Sequence, residues 1–215
     1  HDTAAGEASG PDPDPGRSAA ALPPSGTPTR DWGPALAPDT RASGSDALPF
    51  LTDVRTLRER ARRNVDEGAL TRSYRGDAQA VVRVLNDALA TEIVCTLRYR
   101  RHYFTAKGLN AEAVKAEFLE HAAEEQEHAD RIAERIVQLG GEPDFDPQGL
   151  ASRSHAEYVP GTSLLEMIRE DLVAERIAID SYREIVQWVA PFDPVTRALM
   201  EEILAKEEEH ANELS

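Results

Sequence analysis

The chain has one cysteine in 215 residues, which excludes an internal disulfide framework and fits a reducing compartment such as the cytoplasm. It has no apolar run near the roughly 18 residues that a helical membrane span requires, so it reads as soluble, with no membrane partner. Positive charge is the scarcer sign: 24 Lys and Arg stand against 39 Asp and Glu, giving a formal net charge of −15 and a pI near 4.8. That balance argues against a general nucleic-acid binder and favours the attraction of cations. The first residue is His1 rather than methionine, so either end is compatible with a processing boundary.

Proline is unevenly spread, with nine of the fourteen in residues 1–50. The run PDPDPGRSAAALPPSGTPTR has no period and too little apolar surface to offset the entropy of ordering, so 1–50 is expected to be a flexible arm. From Leu51 the pattern changes. TDVRTLRERARRNVDEG reads as a short basic helical segment within 51–76, closed by Gly68. Its arginines are expected either to form the solvated face of a docking helix or, through 55–63, to contact DNA or another acidic surface.

Four long helical patterns fill 77–215. The first runs from about Asp77 to Lys107 and the second from after Asn110 to Gly140–Gly141, in the position that suits a helix C-terminus. The third opens at Ser163, with Glu166 three residues on as a capping box, and runs to about Ala190. Asp193 followed by Pro194 starts the fourth. Two tight helical hairpins joined by a crossover of about twenty residues describe an all-α, ferritin-like four-helix bundle.

Each helix carries a break in its apolar stripe. The second reads Val114, Phe118, Ala122, then Glu125 and His128, then Ile132, Ile136 and Leu139. The fourth reads Leu199, Ile203, then Glu207 and His210, then Leu214. The first has Glu92 among Val81, Leu85, Ala88, Cys95 and Tyr99. The third has Glu175 among Leu164, Ile168, Leu172, Ile179, Tyr182 and Val186. Two helices thus contribute Glu-x-x-His and two contribute a lone glutamate, on faces otherwise expected to be buried.

The heights agree as well. Glu92 lies seventeen residues before Leu109 and Glu125 sixteen after it, while Glu175 and Glu207 each lie sixteen from Pro191. At about 1.5 Å per residue, each pair is level to within roughly 2 Å. Four carboxylates and two imidazoles therefore converge. Left bare, such a group is strongly destabilising, because neighbouring buried carboxylates cannot all ionise. Two divalent cations cancel four negative charges and use all six ligands: Glu92, Glu125, His128, Glu175, Glu207 and His210.

The segments ATEIVCTLRY, EEQEH, AERIAIDSY and EEEH resemble the ligand-bearing helices of bacterioferritin, within the ferritin-like di-iron carboxylate superfamily. The resemblance covers roughly 77–214. It implies that Glu125 and Glu207 bridge two iron ions, that Glu92 and Glu175 are terminal carboxylates, and that His128 and His210 each supply one nitrogen, with manganese as the other candidate metal. It also implies a redox role for Tyr99 as an electron donor, whereas Tyr182, equally placed seven residues after its glutamate, reads as core. Gln126 stands where bacterioferritins place a haem-ligating methionine, so no haem is expected. No fifth helix is visible, which leaves 12 or 24 subunits open for the homo-oligomeric shell.

The activity implied is ferroxidation, Fe(II) to Fe(III) with O2 or H2O2, for iron storage and detoxification. Glu120, His121 and Glu124 read as solvated polar residues or as groups that pass iron onward, and Cys95 as a small core residue. Three other readings share the bundle. The first is a peroxide-removing enzyme, although one cysteine cannot build a rubredoxin-type site. The others are a DNA-protecting mini-ferritin and a metal-free scaffold.

Overall fold

A computed structural model describes residues 52–66, 68–108 and 111–215; the arm expected at 1–50 lies outside them. The described residues form six helices and no strand: α1 (Val54–Arg63), α2 (Ala78–Thr105), α3 (Ala111–Gln138), α4 (Leu150–Arg153), α5 (Leu164–Val189) and α6 (Pro194–Glu213). No helix among them is long and apolar enough to cross a membrane. Helix α1 starts at an Asp53 cap that accepts from the Thr56 N–H, and it stops at Asn64 rather than continuing to Gly68. Asn64 leaves helical geometry at φ −124° and ψ 41°. None of the residues of α1 is buried.

The long helices begin and end where local chemistry directs them. Asp77 caps α2 by accepting from the Gln79 and Ala80 N–H groups. Helix α3 closes in a Schellman arrangement: the Gly141 N–H bonds Ile136 O and the Gly140 N–H bonds Val137 O, both at 2.9 Å. Gly140 takes φ +76°, and a Cβ on Gly141 would sit 2.6 Å from Val82, so the chain passes close against α2. Ser163 caps α5, but the Glu166 carboxylate reaches back to the Thr162 N–H, one residue earlier than a capping box requires.

Helices α2 and α3 form one antiparallel hairpin and α5 and α6 the other. The crossover between α3 and α5 runs up the side of α2. Along it the Asn86 side chain donates to Glu142 O and accepts from the Asp144 N–H. Higher up, Thr91 Oγ1 accepts from the His155 N–H. Buried at the top, Arg98 and His102 both grip Asp171 on α5, at 2.7 and 2.8 Å, and reach Glu157 O and Pro160 O of the crossover.

The apolar interior comes in layers. One cluster, from Val81, Leu85 and Leu89 through Ile132 and Ile136 to Met200 and Ile203, fills the half near the crossover's start. A second, with Tyr99, Phe118, Ala122 and Met167, fills the other half. The stripes expected on α2, α3 and α6 are buried or half-buried as read. That of α5 is turned. Leu164, Ile168, Leu172, Ile179 and Val186 are only half-buried, while Met167, Asp171, Ala174, Ala178, Ile185 and Val189 join Glu175 and Tyr182 inside. Small residues at 174 and 178 let α5 approach closely, and the larger aliphatics fall to its flanks.

Asp193 offers a direct test of what secures the second hairpin. It caps α6 through Thr196, and it also accepts from Arg135 of α3 at 2.9 Å and from the Tyr74 hydroxyl at 3.0 Å. Asp193→Ala removes a cap and leaves the nearly buried Arg135 without its carboxylate, an expected loss of about 2–4 kcal/mol. Asp77→Ala, which removes only an exposed cap, should cost clearly less. Denaturant titration of both variants checks the order; equal losses would show that the Arg135 pairing adds nothing.

Candidate metal centre

All six residues expected to converge do so between the two apolar clusters. Glu92 comes from α2, Glu125 and His128 from α3, Glu175 from α5, and Glu207 and His210 from α6. Each is at most 3% exposed. Ligand atoms of Glu92, Glu125, His128 and Glu207 lie within 4.8 Å of one another, and so do those of Glu125, Glu175, Glu207 and His210. Glu125 and Glu207 belong to both sets. The arrangement is two adjacent four-donor pockets that share two carboxylates and have one imidazole each.

His128 Nδ1 lies 2.9 Å from Glu207 Oε1 and 3.4 Å from Glu92 Oε2. His210 Nδ1 lies 3.4 Å from Glu125 Oε1 and 3.8 Å from both Glu175 Oε2 and Glu207 Oε2. These separations are short, yet the atoms are not aligned as hydrogen bonds. Glu92 Oε2, Glu125 Oε1, His128 Nδ1, Glu175 Oε2, Glu207 Oε1 and His210 Nδ1 are buried with no hydrogen-bond partner, one atom from each of the six residues. Folded proteins leave only a few such groups unsatisfied, and of those among the described residues, which also include Thr96 Oγ1 and Arg153 Nε, six meet in one place. A donor set of carboxylates with one nitrogen per pocket fits iron, manganese or zinc.

The remaining atoms of the site are held by neighbours. Tyr99 donates to Glu175 Oε1 and Tyr182 donates to Glu92 Oε1. Tyr182, read from sequence as core, is buried in the apolar cluster, and its hydroxyl makes on the opposite side the same kind of contact as that of Tyr99. Burial, then the nearby carboxylate charge, pushes both phenols well above their ordinary range, so both remain O–H donors. His210 Nε2 is 2.7 Å from Glu124 Oε2, which orients the ring, and Lys206 lies 3.4 Å from the same carboxylate. His121, read as solvated or as a transfer group, is only 1% exposed and stacks on His210 with ring centroids 4.1 Å apart. Glu120 is exposed.

Protons balance the charge of the metal-free site. Burial, reinforced by the charges of neighbouring carboxylates, raises Glu92 and Glu207 well above the usual carboxylate range. Burial alone would lower both imidazoles, but the carboxylates outweigh it. Glu125 and Glu92 raise His128 to about 10, and Glu125 and Glu175 raise His210 to about 10. Glu125 is lowered: desolvation opposes its charge, and contacts with Glu92, His128 and His210 overcome that. Cys95 is not part of the donor set. Its thiol is buried and pushed well above its ordinary value, first by desolvation, which disfavours the reactive thiolate.

A "Nutrient stress-induced DNA-binding protein" of Synechococcus is 33% identical over 130 residues, covering 59% of this chain and 74% of the relative. A bacterioferritin of Desulfovibrio desulfuricans is 29% identical over 131 residues, covering 60% and 69%. Among solved structures, the dodecameric thioferritin of Bacteroides fragilis, described as bacterioferritin-related, is 33% identical with a TM-score of 0.62, covering 64% of this chain and 83% of that one. The family Ferritin, defined by the ferritin-like domain, matches residues 82–215, more than half of the chain and both Glu-x-x-His segments. This chain therefore belongs to the ferritin-like domain family.

Proposed function

We propose that the protein is a ferroxidase that binds two Fe(II) ions per chain at a centre built within one chain, and serves iron storage and detoxification. The observation that carries this reading is the set of six buried donor atoms without partners, drawn from four helices and from no other part of the site. Glu125 and Glu207 would bridge, Glu92 and Glu175 would be terminal carboxylates, and His128 and His210 would each bind one ion. Bound Fe(II), as substrate, supplies one electron per ion to O2 or H2O2. Hard carboxylate oxygens favour the ferric product. Tyr99 and Tyr182 orient the terminal carboxylates through their hydroxyls, and Glu124 fixes the His210 ring. Tyr99 is the candidate electron donor. Manganese fits the same donors.

Similarity to bacterioferritin and to the Bacteroides fragilis dodecamer supports a homo-oligomeric shell, and the latter favours twelve subunits. Exposed apolar side chains, including Phe104, Val137 and Leu165, provide surface for such contacts. The similarity to a named DNA-binding protein, together with the exposed arginines of α1, motivates a gel shift at physiological salt. At a net charge of −15 the expected result is no retardation; retardation that disappears on deleting 1–76 would place DNA among the partners.

Anaerobic loading should yield two Fe(II) per chain, and admitting O2 or H2O2 should produce retained ferric iron. Glu125→Ala should abolish rapid oxidation and lower the bound iron. Glu127→Ala, at an exposed position of the same turn, should leave both unchanged. Equal behaviour of the two variants would end the proposal.

Metal and protons compete for the same atoms, and this sets a pH dependence. In the metal-free protein His128 and His210 titrate near 10 against 6.5 when unfolded, and Glu92 and Glu207 are raised as well. Raised groups stabilise the fold fully below their unfolded values, and that stability is lost as pH rises through the folded ones. Between pH 6.5 and 9, stripped protein should therefore fall in Tm while Zn(II)-loaded protein falls less, so the gap widens. A gap that stays constant or narrows would contradict protonation of the empty centre.

A further inference from the structure

A second cluster of metal-ligating side chains lies beside the six-residue centre and shares no ligand with it. Glu117 and His121 on α3 and Glu213 at the end of α6 bring ligand atoms within 4.8 Å of one another. The two carboxylates are exposed, whereas His121 is 1% exposed. Its ring is stacked on His210 and set edge-on to Tyr99 at 5.2 Å. His121 is fixed in place before anything binds.

The hydrogen bonds around that ring define which nitrogen is available. The single proton of the Tyr99 hydroxyl is committed to Glu175. Tyr99 Oη can therefore act only as an acceptor toward His121 Nδ1, which lies 3.3 Å away, and does so in the tautomer that carries its N–H on Nδ1. The other nitrogen, Nε2, faces Glu213 Oε2 at 2.9 Å. A proton on Nε2 closes this contact as a hydrogen bond, and a bound cation closes it when that proton is absent. A second proton on the ring would serve for Glu213 alone; the convergence of Glu117 on the same point supplies a third donor that a proton does not use.

The internal symmetry of the bundle provides a control. The two halves match at Glu125 and Glu207, His128 and His210, and the tyrosines seven residues beyond each lone glutamate. By the same offsets, His121 corresponds to Ile203, Glu117 to Leu199 and Glu213 to Arg131. Ile203 is fully buried, and Arg131 pairs with Glu202. Packing at this level is thus satisfied by an aliphatic side chain, and the imidazole with two carboxylates is peculiar to one half. Tyr182, correspondingly, bonds Glu92, and the position that matches His121 is held by Ile203.

We propose that Glu117, His121 and Glu213 form a third cation site, for a divalent first-row transition ion, opening to solvent next to the six-residue centre. One nitrogen and two carboxylates on one side, with the remaining positions open, suit Zn(II), Fe(II) or Mn(II) and distinguish the site from the all-oxygen sets of Mg(II) and Ca(II). The Tyr99 hydrogen bond to Nδ1 is the outer contact that a metal-binding histidine normally keeps.

Equilibrium dialysis of the full chain against Zn(II), followed by metal counting, tests the site without reference to activity. Wild type should hold three ions per chain. Glu117→Gln with Glu213→Gln, both on the surface, should hold two, and His121→Ile, which installs the residue of the symmetry mate, should match it. Glu125→Ala should lose ions from the six-residue centre and keep the third, so failure of that centre and failure of this site are separable. Anomalous scattering from Zn(II)-soaked crystals should give a peak at His121 Nε2. An unchanged zinc count in the Glu117→Gln, Glu213→Gln variant, or no peak at Nε2, would overturn the proposal.

Discussion

In water a carboxylate is surrounded by donors; in the middle of this bundle Glu92, Glu125, Glu175 and Glu207 are each about 1% exposed and face one another and two imidazoles. Their mutual repulsion in a medium of low effective dielectric is the constraint on which the rest of the interior depends. It explains why the apolar core is divided: one cluster lies on each side of the polar layer, and each helix is anchored by hydrophobic contacts above and below the residue that would otherwise push it outward. It also explains the two buried tyrosines. A neutral O–H satisfies one oxygen of a terminal carboxylate without adding another charge to the layer.

The two hairpins solve this problem in nearly the same way and then diverge. Glutamate, Glu-x-x-His and tyrosine recur at matching offsets in both halves. Around His128 the outer contacts are sparse, whereas around His210 they form a chain through Glu124 and Lys206 and a stack with His121. The second pocket is thereby connected to the half-buried carboxylate of Glu124 and, through His121, to the exposed carboxylate of Glu213.

Much of this was legible from residue order because the relevant signals are periodic. A glutamate interrupting an apolar stripe announces a buried charge, and four interruptions at matching heights announce a common destination. The bundle and the meeting of these six side chains follow from that pattern. Where periodicity misled, polar partners had changed the burial. Asp171 falls outside the stripe read for α5, yet it is fully buried because Arg98 and His102 meet it from α2. That pairing spans about seventy residues and leaves no local trace. The consequence was a stripe on α5 drawn along its larger aliphatics, when the face turned inward carries Ala174 and Ala178. His121 was misplaced for a related reason: a histidine in a run of glutamates looks solvated unless its stacking partners are known. The one available hint was its spacing of four before Glu125, which places it on the inner face.

Register is what these long-range polar contacts supply. Hydrophobic packing is tolerant of sliding, since one aliphatic side chain serves nearly as well as the next, and a helix displaced by one turn moves about 5.4 Å. The donor atoms of the centre fall within 4.8 Å of one another, so such a slide would dismantle it. Two directional networks oppose this. At one end Arg135, Tyr74 and Thr196 converge on Asp193 and tie α3 to the start of α6. At the other, Arg98 and His102 converge on Asp171 and tie α2 to both α5 and the crossover. Each network joins one hairpin to the other, and the carboxylate layer lies between them. Buried ion pairs add little net stability in general, but here their geometry specifies the alignment that a multidentate site requires and that the apolar layers alone would not select.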